Sequence, residues 1–159
     1  MISLKSILYS VTKVLAENFK QDIFIEDNNA GGFNNSCFFV QLLPLSSEAS
    51  TKVLNFRSII VSVKYLQQSS ESIVNIHDVN DKLELIFGRT LQVGDRIITI
   101  SETESNMLTD EVGRILDFMI HLDFHDEQYS EYGKQEEYEL MLELYANVEG
   151  KTIKEGVDE

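Results

Sequence analysis

A chain of 159 residues with 43% hydrophobic side chains is the size of one ordinary domain and can bury a real core. Its formal charge of −14 comes from 27 acidic and 13 basic residues, and the basic ones are scattered singly, which argues against a nucleic-acid grip built on clustered Lys and Arg. Apolar runs extend for only a few residues, short of the ~20 that span a bilayer, and one cysteine, Cys37, cannot staple the fold.

The charge is uneven. Residues 1–125 hold 16 acidic and 10 basic side chains, net −6, whereas residues 126–159 hold 11 and 3, net −8. Such a surface keeps DNA at a distance rather than binding it. The first residues, Met1 to Leu8, lack the basic start, long apolar stretch and small-residue cleavage site of a secretory signal, and with a lone cysteine this leads us to expect a cytosolic setting.

The chain opens with a helix pattern. Ser3 stands where an N-cap belongs, and Leu4, Ile7, Leu8, Val11, Leu15 and Phe19 share one face, so an amphipathic helix of about four turns is expected. Residues 22–44, DIFIEDNNAGGFNNSCFFVQLLP, read as strand, loop and strand, a hairpin in which Ile23-Phe24-Ile25 pairs with the apolar run from Cys37 to Leu43. Pro44 and the polar residues 46–50 are expected to end that second strand. From Val53 to Leu66 the chain alternates, with Ile59, Val61, Val63 and Tyr65 on one face and Ser58, Ser62 and Lys64 on the other.

Ile73, Ile76, Val79, Leu83 and Ile86 then recur at helical spacing between a serine cap and Gly88, which predicts a second amphipathic helix over about 72–87. Thr90 to Val93, the Gly94-Asp95 turn and Arg96 to Ile100 form a hairpin pattern whose second arm extends toward Met107. Residues 109–113 turn the chain. Leu116, Phe118, Ile120, Leu122 and Phe124 then alternate with Asp117, Met119, His121, Asp123 and His125, the clearest period of two in the sequence. Residues 126–137 read as a charged, exposed linker. Residues 137–148 fit both a strand, through Leu140, Leu142, Leu144, Ala146 and Val148, and a helix face; the strand is favoured, and residues from 150 onward are expected to fray.

No constellation reads as an active site. Asp117, His121, Asp123 and His125 share a strand face and contain metal-ligand chemistry, but neighbours on one face lie ~7 Å apart, too far to share one ion without help from another element. Cys37 has no base beside it in sequence and reads as a small buried hydrophobe. His77 reads as a surface residue. The Gly31-Gly32 loop lacks the Lys-Ser or Lys-Thr of a phosphate loop and follows Glu26 and Asp27, so it reads as a turn. The carboxylate pairs Asp110-Glu111 and Glu136-Glu137 fall in turns or linkers, where nothing would split their acidities. Neither an enzyme nor a cofactor site is expected.

The expected fold class is therefore α+β: a mostly antiparallel sheet with two amphipathic helices packed on one face, plus an acidic C-terminal extension. The stretch 22–44 and the later run Asn106-Met107-Leu108, Asp110, then Gly113 through His125 (GRILDFMIHLDFH) resemble the tail terminator, or tail completion, proteins of contractile-tailed phages and phage tail-like particles. The order helix, hairpin, long strand, helix, hairpin, long strand is similar too. The resemblance implies a terminator-like domain over 1–127 and an acidic arm over 128–159. It implies a structural protein of the virion or tail-like particle, assembled in the host cytoplasm: a hexameric homo-oligomer ring that caps the tail tube, stops its polymerisation and offers a docking surface to the head connector or collar, with sheath contact left open. No specific nucleic-acid binding and no membrane partner are expected, although DNA passes through such a ring. On this reading Met119, His121, Leu140, Leu142 and Leu144 belong to the subunit interface, and Glu26 and Asp27 face the lumen. The competing reading of the net charge is an acidic adaptor or nucleic-acid mimic that occupies a basic host partner.

Overall fold

A computed structural model describes residues 1–25, 35–110, 113–127, 143–148 and 151–156. The chain divides into two compact units, Met1–Gln128 and Tyr129–Glu159. In the first unit, α1 (Leu4–Asn18) begins at Ser3, whose hydroxyl accepts the Ser6 N–H at 3.0 Å and satisfies one of the orphan donors of the first turn. Ile7, Val11 and Leu15, four residues apart, form its fully buried stripe. The second helix, α2 (Ile73–Ile86), is capped in the same manner by Ser72 and buries Ile76 and Leu83. Gly88 follows its end because of a close approach rather than a left-handed turn. A Cβ there would lie 2.7 Å from the Glu84 carbonyl oxygen, and no positive φ is involved.

Six strands form one sheet in the order β1-β2-β3-β6-β5-β4: β1 (Asp22–Ile25), β2 (Cys37–Ala49), β3 (Leu54–Gln68), β4 (Thr90–Val93), β5 (Arg96–Asp110) and β6 (Gly113–Glu127). All pairings are antiparallel except that of β1 with β2, so the sheet is mixed. That exception corrects the expected opening hairpin: Asp22 to Ile25 run alongside Cys37 to Val40 in the same direction. Side-chain alternation is blind to strand direction, and the connection 26–36 is long enough to carry the chain back to the end where it started.

Pro44 does not end β2 either. The strand runs on to Ala49 with a register slip between Pro44 and Ser46, and from Gln41 onward no described residue pairs with its outer side. An edge tolerates a residue without an N–H where a central strand would not.

Both helices pack on one face. Phe38 and Val40 of β2, Ile59, Val61, Val63 and Tyr65 of β3, and Leu116, Phe118, Ile120, Leu122 and Phe124 of β6 meet the helix stripes in one continuous core. Phe19, at the end of α1, lies 4.8 Å from the Phe38 ring, which in turn sits 4.9 Å from Tyr65. Each fully buried aliphatic or aromatic side chain here contributes about 1.5–3 kcal/mol relative to exposure, so the helix-facing side supplies most of the stability of this unit.

Asp126 corrects the expected exposed linker. It belongs to β6 and its side chain is only 1% exposed, accepting the Ile2 N–H at 2.7 Å, Arg57 Nη1 at 3.0 Å and Arg96 Nη1 at 2.8 Å. Burial alone would raise its carboxyl; the Ile2 N–H, the Arg57 guanidinium, the N-terminal charge and Arg96 outweigh that and hold it below the usual range. The N-terminus of α1 is thereby pinned to the far end of β6.

In the second unit, β7 (Glu143–Val148) pairs antiparallel with β8 (Lys151–Gly156). The strand reading of 137–148 holds for residues 143–148; residues 140 and 142 lie outside the described residues. Lys151–Gly156 is paired rather than frayed.

Candidate assembly surface

The face of the sheet turned away from the helices is the candidate functional surface. Period-two alternation puts alternate residues of β2, β3, β6 and β5 there, in rows that cross the strands. One row runs Cys37, Leu66, Ile115, Leu108 and is wholly apolar. Another runs Leu43, Ile60, His121, Glu102. Between them lies Gln41, Ser62, Met119, Glu104. Most of these side chains on β3 and β6 are half-buried although, among the described residues, no helix lies on this face.

The polar members are held in place from the backbone outward. Asp117 accepts Ser62 Oγ at 2.6 Å. Asp123 accepts Ser58 Oγ and Ser101 Oγ, both at 2.6 Å. The Ser101 and Ser58 hydrogen bonds, helped by His121 against the effect of burial, hold the Asp123 carboxyl below its ordinary range, so it stays ionised. His125 packs against Phe56 in a tilted arrangement, 5.2 Å between centroids. The four residues Asp117, His121, Asp123 and His125 thus share a face, but both carboxylates are committed to serines and the set does not converge.

What the sequence reading missed is the contribution of β5. Ile100 pairs with Leu122 and Glu102 with His121, so Ser101 is an extra residue, a bulge. Ile98 and Ile100 face the core. Without the bulge Glu102 and Glu104 would follow them there; with it they move to the open face beside His121. The signal was present as a break in alternation at Ser101.

Of the expected interface residues, Met119 and His121 lie two apart on this face, both half-buried. Leu144 falls on β7, while Leu140, Leu142, Glu26 and Asp27 lie outside the described residues. Cys37 is buried, and burial, with Asp22 nearby, pushes its thiol up, away from nucleophilic use. His77 is exposed on α2. Among the described residues no helix is long and apolar enough to cross a membrane.

Fold and face together define a helix-backed β-sheet protein in which, among the described residues, one face of the sheet carries no helix. A family model described as phage tail terminator protein matches residues 6–136, and the chain belongs to that family. A structural role in the phage tail, in association with other tail components, follows from that membership. A solved structure of unstated function shares the fold, with a TM-score of 0.54, covering 82% of this chain and 99% of its own at 11% identity. No curated protein matches the sequence.

Proposed function

We propose that this chain is the subunit of a closed ring, a hexamer, that caps the tail tube, halts its growth and presents the docking surface for the connector or collar. The observation that supports the reading is the open sheet face on which Met119 and His121, both half-buried, stand among Ile60, Ser62, Glu102 and Glu104, in a chain of the terminator family. A ring uses two different surfaces of each subunit, one to give and one to receive. The open face supplies one of them. The arm over 128–159, including Leu140, Leu142 and Leu144, supplies the second by engaging a neighbouring subunit, with main-chain hydrogen bonds for affinity and alternate side chains for register. Glu26 and Asp27 line the channel, where acidic walls let DNA pass without adhering. The chemistry of such a protein is recognition, and no catalytic step is assigned to it.

Light scattering on a sizing column tests the ring. Six chains of 18.2 kDa make a particle of about 109 kDa, and truncation after Gln128 should leave a folded monomer near the single-chain mass. A full-length chain that stays monomeric at high concentration, also with its tube protein present, would overturn the proposal.

A further inference from the structure

We propose that Glu102, Glu104 and His121 form a binding site for one divalent transition-metal ion of the zinc class. One ligand atom from each lies within 4.8 Å of the others, across the β5–β6 pair. Three protein ligands with nitrogen and carboxylate oxygen, and a fourth position open to water, is a donor set that suits such an ion. Tetrahedral coordination at ~2.1 Å places ligand atoms ~3.4 Å apart, so the gaps must close by about 1.4 Å at most. Glu102 and Glu104 are exposed and free to rotate by that much.

A second observation points into the same space. His121 Nε2 has less than 1 Å² of accessible surface and no hydrogen-bond partner. Its nearest acidic atom, Glu104 Oε2, stands 3.9 Å away, too far for a hydrogen bond. A buried ring nitrogen without a partner is expensive, and an ion between it and the glutamates would satisfy it. The Ser101 bulge is what brings the three together, since it turns both glutamates out of the core side and toward the imidazole. Asp123, two residues along β6, is already bonded by Ser58 and Ser101 and adds negative charge near the site without competing for the ion.

The test uses the full-length chain freed of metal by chelation, then titrated with Zn²⁺ by calorimetry and with Co²⁺ by visible absorption. The expected result is one ion per chain and a Co²⁺ spectrum of low coordination number. His121→Ala and Glu104→Gln should each weaken binding by more than about tenfold, whereas His125→Ala on the same face should leave it unchanged. Circular dichroism without metal checks that each variant is folded. Should His121→Ala fail to fold, Glu102→Gln together with Glu104→Gln decides the matter. Absence of a one-to-one complex in the unaltered chain, or equal binding in the ligand variants, would overturn the site and leave only diffuse attraction to an acidic surface.

Discussion

Replacing Asp126 by Asn probes the tie between the start of α1 and the end of β6. The substitution keeps the shape and one acceptor oxygen, so the Ile2 N–H can still be satisfied, but it removes the charge that both guanidiniums face. Breaking a fully buried pair by deleting one partner costs about 3–5 kcal/mol. Arg57 is 12% exposed and loses most of its compensation, while Arg96 is 45% exposed and can turn to water and the amide keeps one acceptor, so the loss falls at or just below the lower limit of that range. We expect a loss of about 2–3 kcal/mol at neutral pH, read by urea unfolding. For a unit of this size that corresponds to a fall in melting temperature of roughly 8–12 °C.

The sign of the pH dependence follows from the depressed carboxyl. The contribution of Asp126 is complete above the unfolded-state value of about 3.9 and disappears as pH falls through the lower folded-state value. Wild type and Asp126→Asn should therefore differ fully at pH 6–7 and converge in acid. A double variant with Arg57→Met should lose less than the two single changes added together. A neutral-pH difference below about 0.5 kcal/mol, or a gap that stays constant down to acid pH, would refute the reasoning.

Two further outcomes are expected. Gly113→Ala should destabilise by about 3 kcal/mol or more in thermal melts, because the residue has a φ of 155° and an added Cβ would collide with the Gln67 carbonyl oxygen, so a variant as stable as wild type would contradict this local geometry. Met119→Lys should leave the melting temperature within a few degrees, since the introduced ammonium would face Glu104 across the strands, yet the charge on the open face should reduce the ring fraction in light scattering; an unchanged ring would remove Met119 from the interface.

The parts of the fold that were legible in the sequence are those in which a single period runs unbroken. The alternation from Leu116 to Phe124 gave β6 and its two faces, and Ser3 and Ser72 marked both helix starts, because caps and periodicity are local. Strand direction is not local, so the parallel pairing of Asp22 to Ile25 with Cys37 to Val40 was hidden. Pro44 looked like a terminus because proline forbids a central strand but not an edge, and edge status depends on the whole sheet. Asp126 looked exposed because its partners Ile2, Arg57 and Arg96 are remote in sequence. The open face was half legible. Met119 and His121 could be placed on it by counting, but Glu102 and Glu104 could not, since one inserted residue reverses every side chain beyond it.

The slip at Pro44 has a bearing on solution behaviour. From Gln41 to Ala49 the outer side of β2 has no described neighbour, and a bare strand of that length is a template on which stray chains can stack into fibres. Pro44 brings no N–H to that edge, and the irregularity before Ser46 throws the later carbonyls and amides out of step with the earlier ones. An incoming strand can match at most a few residues on either side of the fault before its ladder fails. The fault therefore acts as a stop to runaway sheet growth, and Pro44→Val, by restoring the missing donor, should make concentrated solutions of the protein turbid sooner than the parent chain.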